Sequence, residues 1–225
     1  MKTDYPGHDR EYQKRLADGA IGWNPEPGGY PIRETDLRAI LAGGHMPSSG
    51  ALLELGCGCG NLGLWFAELG YTVHGVDIAP TAVELAQQRA RDRSLDATFQ
   101  VGSVVDLALY ADGAFDLVYD SHLLHCIIGD DRAELFANVR RVLRPGGYFL
   151  VSTMCYTQKT HELPGYDPRT GCLHFERSGE TITTRYIGKT EDLLDEVKAA
   201  GFTVLAHSQV TGPQGHSQVF IELAR

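Results

Sequence analysis

From residue 51 onward, short apolar runs of strand length alternate with amphipathic stretches of helix length, and this alternation restricts the fold more than any other feature of the chain. Residues 51–55, 71–76, 97–101, 115–119, 148–153, 202–206 and 217–223 read as strands. Pro80 opens a helical pattern carried by Val83, Ala86 and Ala90, and Asp130 and Asp131 precede a stripe of Leu135, Phe136, Val139, Val142 and Leu143 that stops at Pro145-Gly146-Gly147. Thr190 opens a third pattern, closed at Gly201. Alternation of this kind predicts a parallel sheet covered by helices on both faces. The last two strands are joined only by a Thr-Gly-Pro-Gln-Gly turn region, too short for a parallel crossover. The expectation is an α/β fold with a seven-stranded, mostly parallel sheet and one antiparallel strand at its C-terminal hairpin.

Two segments fall outside the alternation. Residues 1–50 hold a Pro- and Gly-rich stretch, 22–30, followed by a helical pattern over residues 34–41, and are read as an N-terminal lid. Residues 155–189 are a long insertion after a strand whose C-terminal end faces the ligand crevice of such sheets. Residues 51–225 form the expected main domain.

Composition narrows the function. Twenty Lys and Arg against 29 Asp and Glu leave a net charge of −9, which repels nucleic-acid backbones and anionic lipid. The five cysteines, Cys57, Cys59, Cys126, Cys155 and Cys172, show no paired ladder, and the polar, mixed-charge beginning of the chain shows no targeting pattern. No apolar run reaches the roughly 18 residues of a membrane span. A cytoplasmic protein is expected, monomeric or homodimeric, without nucleic-acid or membrane partners.

The strand at 51–55 runs directly into Gly56-Cys57-Gly58-Cys59-Gly60-Asn61-Leu62-Gly63 and a helix. Reversal this tight beside a ligand favours residues without a β-carbon, and the amides at the helix start can bind an anionic group. Asp77 follows 17 residues after Gly60, at the end of the next strand, where a carboxylate can accept both hydroxyls of a ribose. The pair predicts a nucleoside-containing cofactor. Gly58 to Gly63 also satisfies the G-x-G-x-x-G dinucleotide pattern, which keeps a nicotinamide-dependent oxidoreductase as an alternative.

Glu54-Leu55-Gly56-Cys57-Gly58-Cys59-Gly60 resembles the first motif of the class I S-adenosylmethionine-dependent methyltransferases. In order after it, Val76-Asp77-Ile78, Val101-Gly102-Ser103, Phe115-Asp116-Leu117-Val118-Tyr119-Asp120 and Arg144-Pro145-Gly146-Gly147 resemble further motifs of that superfamily. The resemblance implies a Rossmann-like three-layer sandwich, S-adenosylmethionine as cofactor and S-adenosylhomocysteine as product. It places Gly56, Gly58 and Gly60, with Cys57 between them, under the methionine portion. It makes Asp77 the ribose ligand and Ile78 an adenine-packing residue, and sets Gly102, Ser103 and Val104 at the adenine edge, with Asp106 as an alternative to Ser103. Glu54 then braces the loop or the cofactor's amino group, and Asp120 and Ser121 lie beside the transferable methyl.

His122 and His125, three residues apart, would share a face if helical, and an imidazole there can take a proton from an acceptor. Asp120, His122 and His125 are the candidate catalytic residues. Asp120-Ser121-His122-Leu123 replaces the Asn/Asp-Pro-Pro-Tyr/Phe pattern of related amino-methylating enzymes, so a small-molecule acceptor is favoured. Trp23, Tyr30, Tyr156, His161, Tyr166, His174 and Arg185 are candidate acceptor-side residues in a lid over a partly apolar ligand. No metal is assigned, because no second Cys pair completes a tetrahedral site with Cys57 and Cys59. A thiophilic metal or metalloid on Cys126, Cys155 and Cys172, with His122, His125, His161 and His174, is a minor alternative. A non-catalytic cofactor-binding sensor or partner subunit is the remaining one.

Overall fold

In the computed structural model, which describes residues 2–23, 31–211 and 217–225, the chain runs through α1 (Gly7–Ala17), α2 (Pro31–Ala42), β1 (Gly50–Leu55), α3 (Asn61–Glu68), β2 (Tyr71–Asp77), α4 (Pro80–Asp92), β3 (Ala97–Val101) and β4 (Phe115–Ser121). It continues through α5 (Asp131–Val142), β5 (Leu143–Cys155), β6 (Tyr166–Asp167), β7 (Cys172–Arg177), β8 (Glu180–Tyr186), α6 (Thr190–Ala199), β9 (Thr203–Thr211) and β10 (Ser217–Ala224). The main sheet has the order β3-β2-β1-β4-β5-β10-β9. Every neighbouring pair is parallel except those of β10, which is antiparallel to both β5 and β9. The expected seven-stranded sheet with one antiparallel strand is therefore present.

Strand pleat explains the two buried faces. Leu53, Val118, Phe149, Val151 and Ile221 pack on one side with Leu135, Phe136 and Val139 of α5 and Leu193 and Val197 of α6. Leu52, Leu117, Leu150 and Phe220 face the other, against Leu37 of α2 and Leu62, Trp65 and Phe66 of α3. Adjacent residues thus serve opposite layers, which is why these strands read as unbroken apolar runs.

Three elements differ from the sequence reading. Helix α1 was not anticipated: of its residues only Tyr12 is buried, so it lacks an apolar stripe and is held by docking instead. Asp9 accepts a hydrogen bond from the Thr81 amide at 2.9 Å, and the Tyr5 hydroxyl just before the helix donates to Asp131 at 2.7 Å. Strand β9 extends to Thr211 because it is the exposed edge of the sheet, where a polar run such as His207-Ser208-Gln209 is tolerated. The turn joining it to β10 lies outside the described residues. The 155–189 insertion is a three-stranded antiparallel sheet, β6-β7-β8, rather than a loop. Ser178 and Gly179, both at positive φ (53° and 79°), make the two-residue turn that fits a hairpin's twist.

Candidate functional site

The strand order reverses between β1 and β4, where carboxyl ends of parallel strands open a crevice. A cleft of about 1070 Å³, measured out to its open mouth, lies there.

At one end the chain leaves β1 through Gly56, Cys57 and Gly58 into α3. Gly56 has φ 69°, and a β-carbon there would sit 2.8 Å from Leu123 Cβ, so the glycine loop and the turn after β4 pack without room for a side chain. Gly60 caps α3 at φ 75°. Asp77 braces this loop from below: its Oδ2 accepts from the Gly58 amide and its Oδ1 from the Ala79 amide, each at 2.9 Å. Each oxygen retains further acceptor capacity toward the cleft that Asp77 lines. Burial raises its pKa, opposed by the amides of Ala79, Gly58 and Ile78.

Glu54, also lining the cleft, is 1% exposed. Its Oε2 has no hydrogen-bond partner among the described residues. Burial pushes its pKa up to about 8, only partly offset by the Ser121 hydroxyl and the Gly63 backbone. A buried carboxyl with an unsatisfied oxygen in a cleft is suited to a cationic amino group. Together with the glycine cradle and Asp77, this donor and acceptor set fits a nucleoside amino acid such as S-adenosylmethionine.

The strand β4 ends in the turn that carries the two histidines. Asp120 is 1% exposed and accepts hydrogen bonds from the amides of Leu123 (2.8 Å), Leu124 (2.9 Å) and Ser152 (3.3 Å). Burial raises its pKa to about 7 against those bonds and the Arg132 charge. His122 and His125 do not share a helix face: His122 has a left-handed backbone, φ 63°, and His125 sits in a 3-10 turn, Leu124–Cys126. Their rings nevertheless meet edge-on, with centroids 4.6 Å apart, and both line the cleft. His125 Nδ1 lies 3.3 Å from Thr153 Oγ1, which orients its ring. Buried Arg132 holds the turn from behind, donating to the carbonyls of Leu124 (2.6 Å) and Ile127 (3.1 Å) while pairing with Glu196 at 2.6 Å.

Of the residues expected from sequence, Glu54, Gly56, Cys57, Gly58, Asp77, Ile78, Ser103, Val104, Ser121, His122, His125, Trp23 and Arg185 line this cleft. Gly60, Gly102 and Asp120 lie behind the lining and shape its turns; Asp106 is also off the lining, where its carboxylate caps the Ala108 amide. Tyr156, His161 and Tyr166 form an aromatic cluster of their own, with ring centroids 5.4–6.3 Å apart, and His174 bonds Thr183 at 3.0 Å; none of the four lines the cleft. Tyr30 lies outside the described residues. Among the described residues no three His, Cys, Asp or Glu side chains gather to hold a metal, so the alternative grouping around Cys126, Cys155 and Cys172 is not assembled. No helix among them is long and apolar enough to cross a membrane.

The sequence reading puts residues 1–50 in a lid and Trp23 on the acceptor side but does not single out Tyr5, His8 or Tyr12. Tyr5, His8 and Tyr12 line the cleft, and Trp23 is packed by Tyr12 (5.5 Å between rings), His8 (5.8 Å) and the Arg15 guanidinium (4.6 Å). Nothing in a polar helix with one buried side chain announces such a role.

Residues 53–151 match the family described as "Methyltransferase domain". The ubiquinone biosynthesis O-methyltransferase of Xanthomonas oryzae pv. oryzae is 30% identical over 149 residues, 65% of this chain and 62% of that protein. The 2-heptyl-1-hydroxyquinolin-4(1H)-one methyltransferase of Mycobacteroides abscessus is 36% identical over 103 residues, 45% of each chain. The chain thus spans less than two thirds of the length of these relatives. Among solved structures, the 1,6-didemethyltoxoflavin-N1-methyltransferase of Burkholderia thailandensis with bound 1,6-didemethyltoxoflavin and S-adenosylhomocysteine aligns with a TM-score of 0.68 at 21% identity, covering 96% of this chain and 90% of that one. The [4+2]-cyclase SpnF aligns at 0.72 with 18% identity, covering 100% and 97%. Over residues 53–151 the family match and the motif order agree, and the seven-stranded sheet has the fold of the solved structures named above.

Proposed function

We propose that the protein transfers a methyl group from S-adenosylmethionine to a hydroxyl oxygen of a small molecule. The observation that carries this reading is that Asp77, the glycine loop, Glu54 and the His122–His125 pair line one continuous cleft. The two curated relatives support a small-molecule acceptor, the ubiquinone-pathway enzyme an oxygen. The cyclase neighbour is a reminder that the sheet alone fixes no chemistry, so the site residues bear the argument.

S-adenosylmethionine supplies an already activated sulfonium methyl when bound. The chain has to bind, orient and remove a proton. Asp77 accepts the ribose hydroxyls, and Ile78, Ser103 and Val104 border the base. The Glu54 carboxylate pairs with the amino group, and that cationic partner favours its ionised form over the neutral form that burial prefers. His122 or His125 takes the acceptor proton, and the other imidazole packs beside it. Asp120 is a positioning residue: its three amide bonds fix the turn that presents both rings. In-line placement of acceptor behind the methyl is worth ~7–11 kcal/mol in well-oriented systems, so holding these groups still is the main catalytic task. The α1 segment and the β6-β7-β8 sheet form the lid over the acceptor end.

The test is S-adenosylhomocysteine formation on mixing the protein with S-adenosylmethionine and a panel of ring-borne hydroxyl compounds, including 1-hydroxyquinolin-4(1H)-ones. Acceptor-dependent product supports the reading. Tight binding of S-adenosylmethionine with no turnover across the panel favours a non-catalytic binding protein instead.

A further inference from the structure

A second cavity lies between α1 and the β7–β8 hairpin, and it shares a wall with the main cleft made of Tyr5, His8, Trp23, Cys126 and Arg185. Arg185 is the one cation in that wall, and no carboxylate pairs with it among the described residues. The acids nearby are engaged elsewhere. Asp4 pairs with Arg10 and, at 2.7 Å, with Arg177; Glu11 pairs with Arg15 at 3.0 Å. The other arginines near the site have partners: Arg132 has Glu196 and two carbonyls, and Arg89 has Asn61 and the Cys59 carbonyl. Arg185 is half-buried, and its charge reaches into the wall. It helps hold the His8 imidazole below its ordinary pKa, after burial, and opposes the rise that burial imposes on the Cys126 thiol. Keeping a guanidinium partly desolvated without a counter-ion is unfavourable unless a ligand supplies one.

We propose that Arg185 is the anion-binding residue of the acceptor site, and that the acceptor is a small molecule bearing a carboxylate, held at the wall between the two cavities while its hydroxyl reaches the His122–His125 turn. The outer chamber between α1 and β7–β8 then receives the part of the acceptor that carries the anion, and the main cleft receives the part that is methylated. This deepens the methyl-transfer reading and rests on it for the identity of the reacting end. A planar guanidinium recognises a carboxylate by two parallel hydrogen bonds, so lysine should replace it only in part.

The test titrates 3,4-dihydroxybenzoate and its neutral amide, 3,4-dihydroxybenzamide, into the wild-type protein, Arg185→Gln and Arg185→Lys, each with and without saturating S-adenosylhomocysteine. The expected result is at least a tenfold preference for the carboxylate in wild type. Arg185→Gln should abolish it, and Arg185→Lys should restore part of it. Amide binding and S-adenosylhomocysteine affinity should be unchanged in all three proteins. Absence of a carboxylate preference in wild type, or its persistence in Arg185→Gln, overturns the proposal. Failure of wild type to bind S-adenosylhomocysteine would instead remove the methyltransferase reading, leaving the anion preference to be judged from the titrations without it.

Discussion

At the proposed cofactor end of the cleft, Gly56, Gly58 and Asp77 come from one contiguous β-α-β stretch: the Gly58 and Ala79 amides donate to the Asp77 carboxylate, and the Gly56 amide donates to the Val76 carbonyl. At the proposed acceptor end, Tyr5, His8, Trp23, Cys126 and Arg185 come from three segments far apart in the chain and meet by tertiary docking. The first arrangement is specified by chain geometry and tolerates few replacements. The second is specified by tertiary docking, so its side chains can vary without disturbing the sheet. Specificity is therefore expected at the second end, cofactor recognition at the first.

The largest effect separating the two ends should come from the histidines. His122→Ala and His125→Ala are expected to differ: the one that serves as base loses roughly 10²–10⁴-fold in turnover while S-adenosylhomocysteine affinity holds. Steady-state rates alongside calorimetry check this, and loss of cofactor binding in either variant would erase the distinction between the ends. Asp77→Ala should do the reverse, lowering S-adenosylhomocysteine affinity by about 10–100-fold, the effect of losing hydrogen bonds to a charged group.

Arg132 acts from outside the cleft, holding the histidine turn without lining the cleft itself. Arg132→Gln should cost about 2–3 kcal/mol in denaturant unfolding, for lost charge-assisted bonds to Glu196 and two carbonyls, and should slow turnover at unchanged cofactor affinity. Gly56→Ala should cost about 1–2 kcal/mol for a β-carbon in a left-handed backbone, with the Leu123 contact added, and should disturb both ends together.

The smallest effect is in pH dependence. Burial raises the Glu54 pKa from 4.5 to about 8 in the cofactor-free fold, so between those values the folded state holds a proton that the unfolded state has released. Its contribution to stability is full below about 4.5, falls as pH rises, and is gone above about 8. Glu54→Gln removes this slope. The unfolding free energy of the variant should gain on wild type steadily from pH 5 to 8, and a constant difference would mean Glu54 is already ionised.

The legible and illegible parts of the sequence follow the same division. Leu52-Leu53, Leu117-Val118 and Phe149-Leu150-Val151 supply both faces of buried strands, so the sheet could be read from apolar runs alone. The glycine loop and Asp77 were legible because their spacing is fixed by the β-α-β connection. Helix α1 was hidden because Tyr12 is its single buried residue and its stability comes from Asp9 and Thr81, 72 positions apart. The β7–β8 hairpin carried a usable signal in Ser178-Gly179, overshadowed by the polar residues around it. His122 and His125 are legible as a pair from their spacing, which would put them on one face if helical; instead a left-handed residue and a 3-10 turn bring the rings together.

The central claim is that this cleft binds a nucleoside amino acid through Asp77 and the glycine loop. Calorimetric titration of wild type and Asp77→Ala with S-adenosylhomocysteine and NAD tests it most directly. The account predicts wild-type binding of S-adenosylhomocysteine alone, weakened strongly by the substitution. Binding of NAD in its place, or equal S-adenosylhomocysteine affinity in the two proteins, would contradict it.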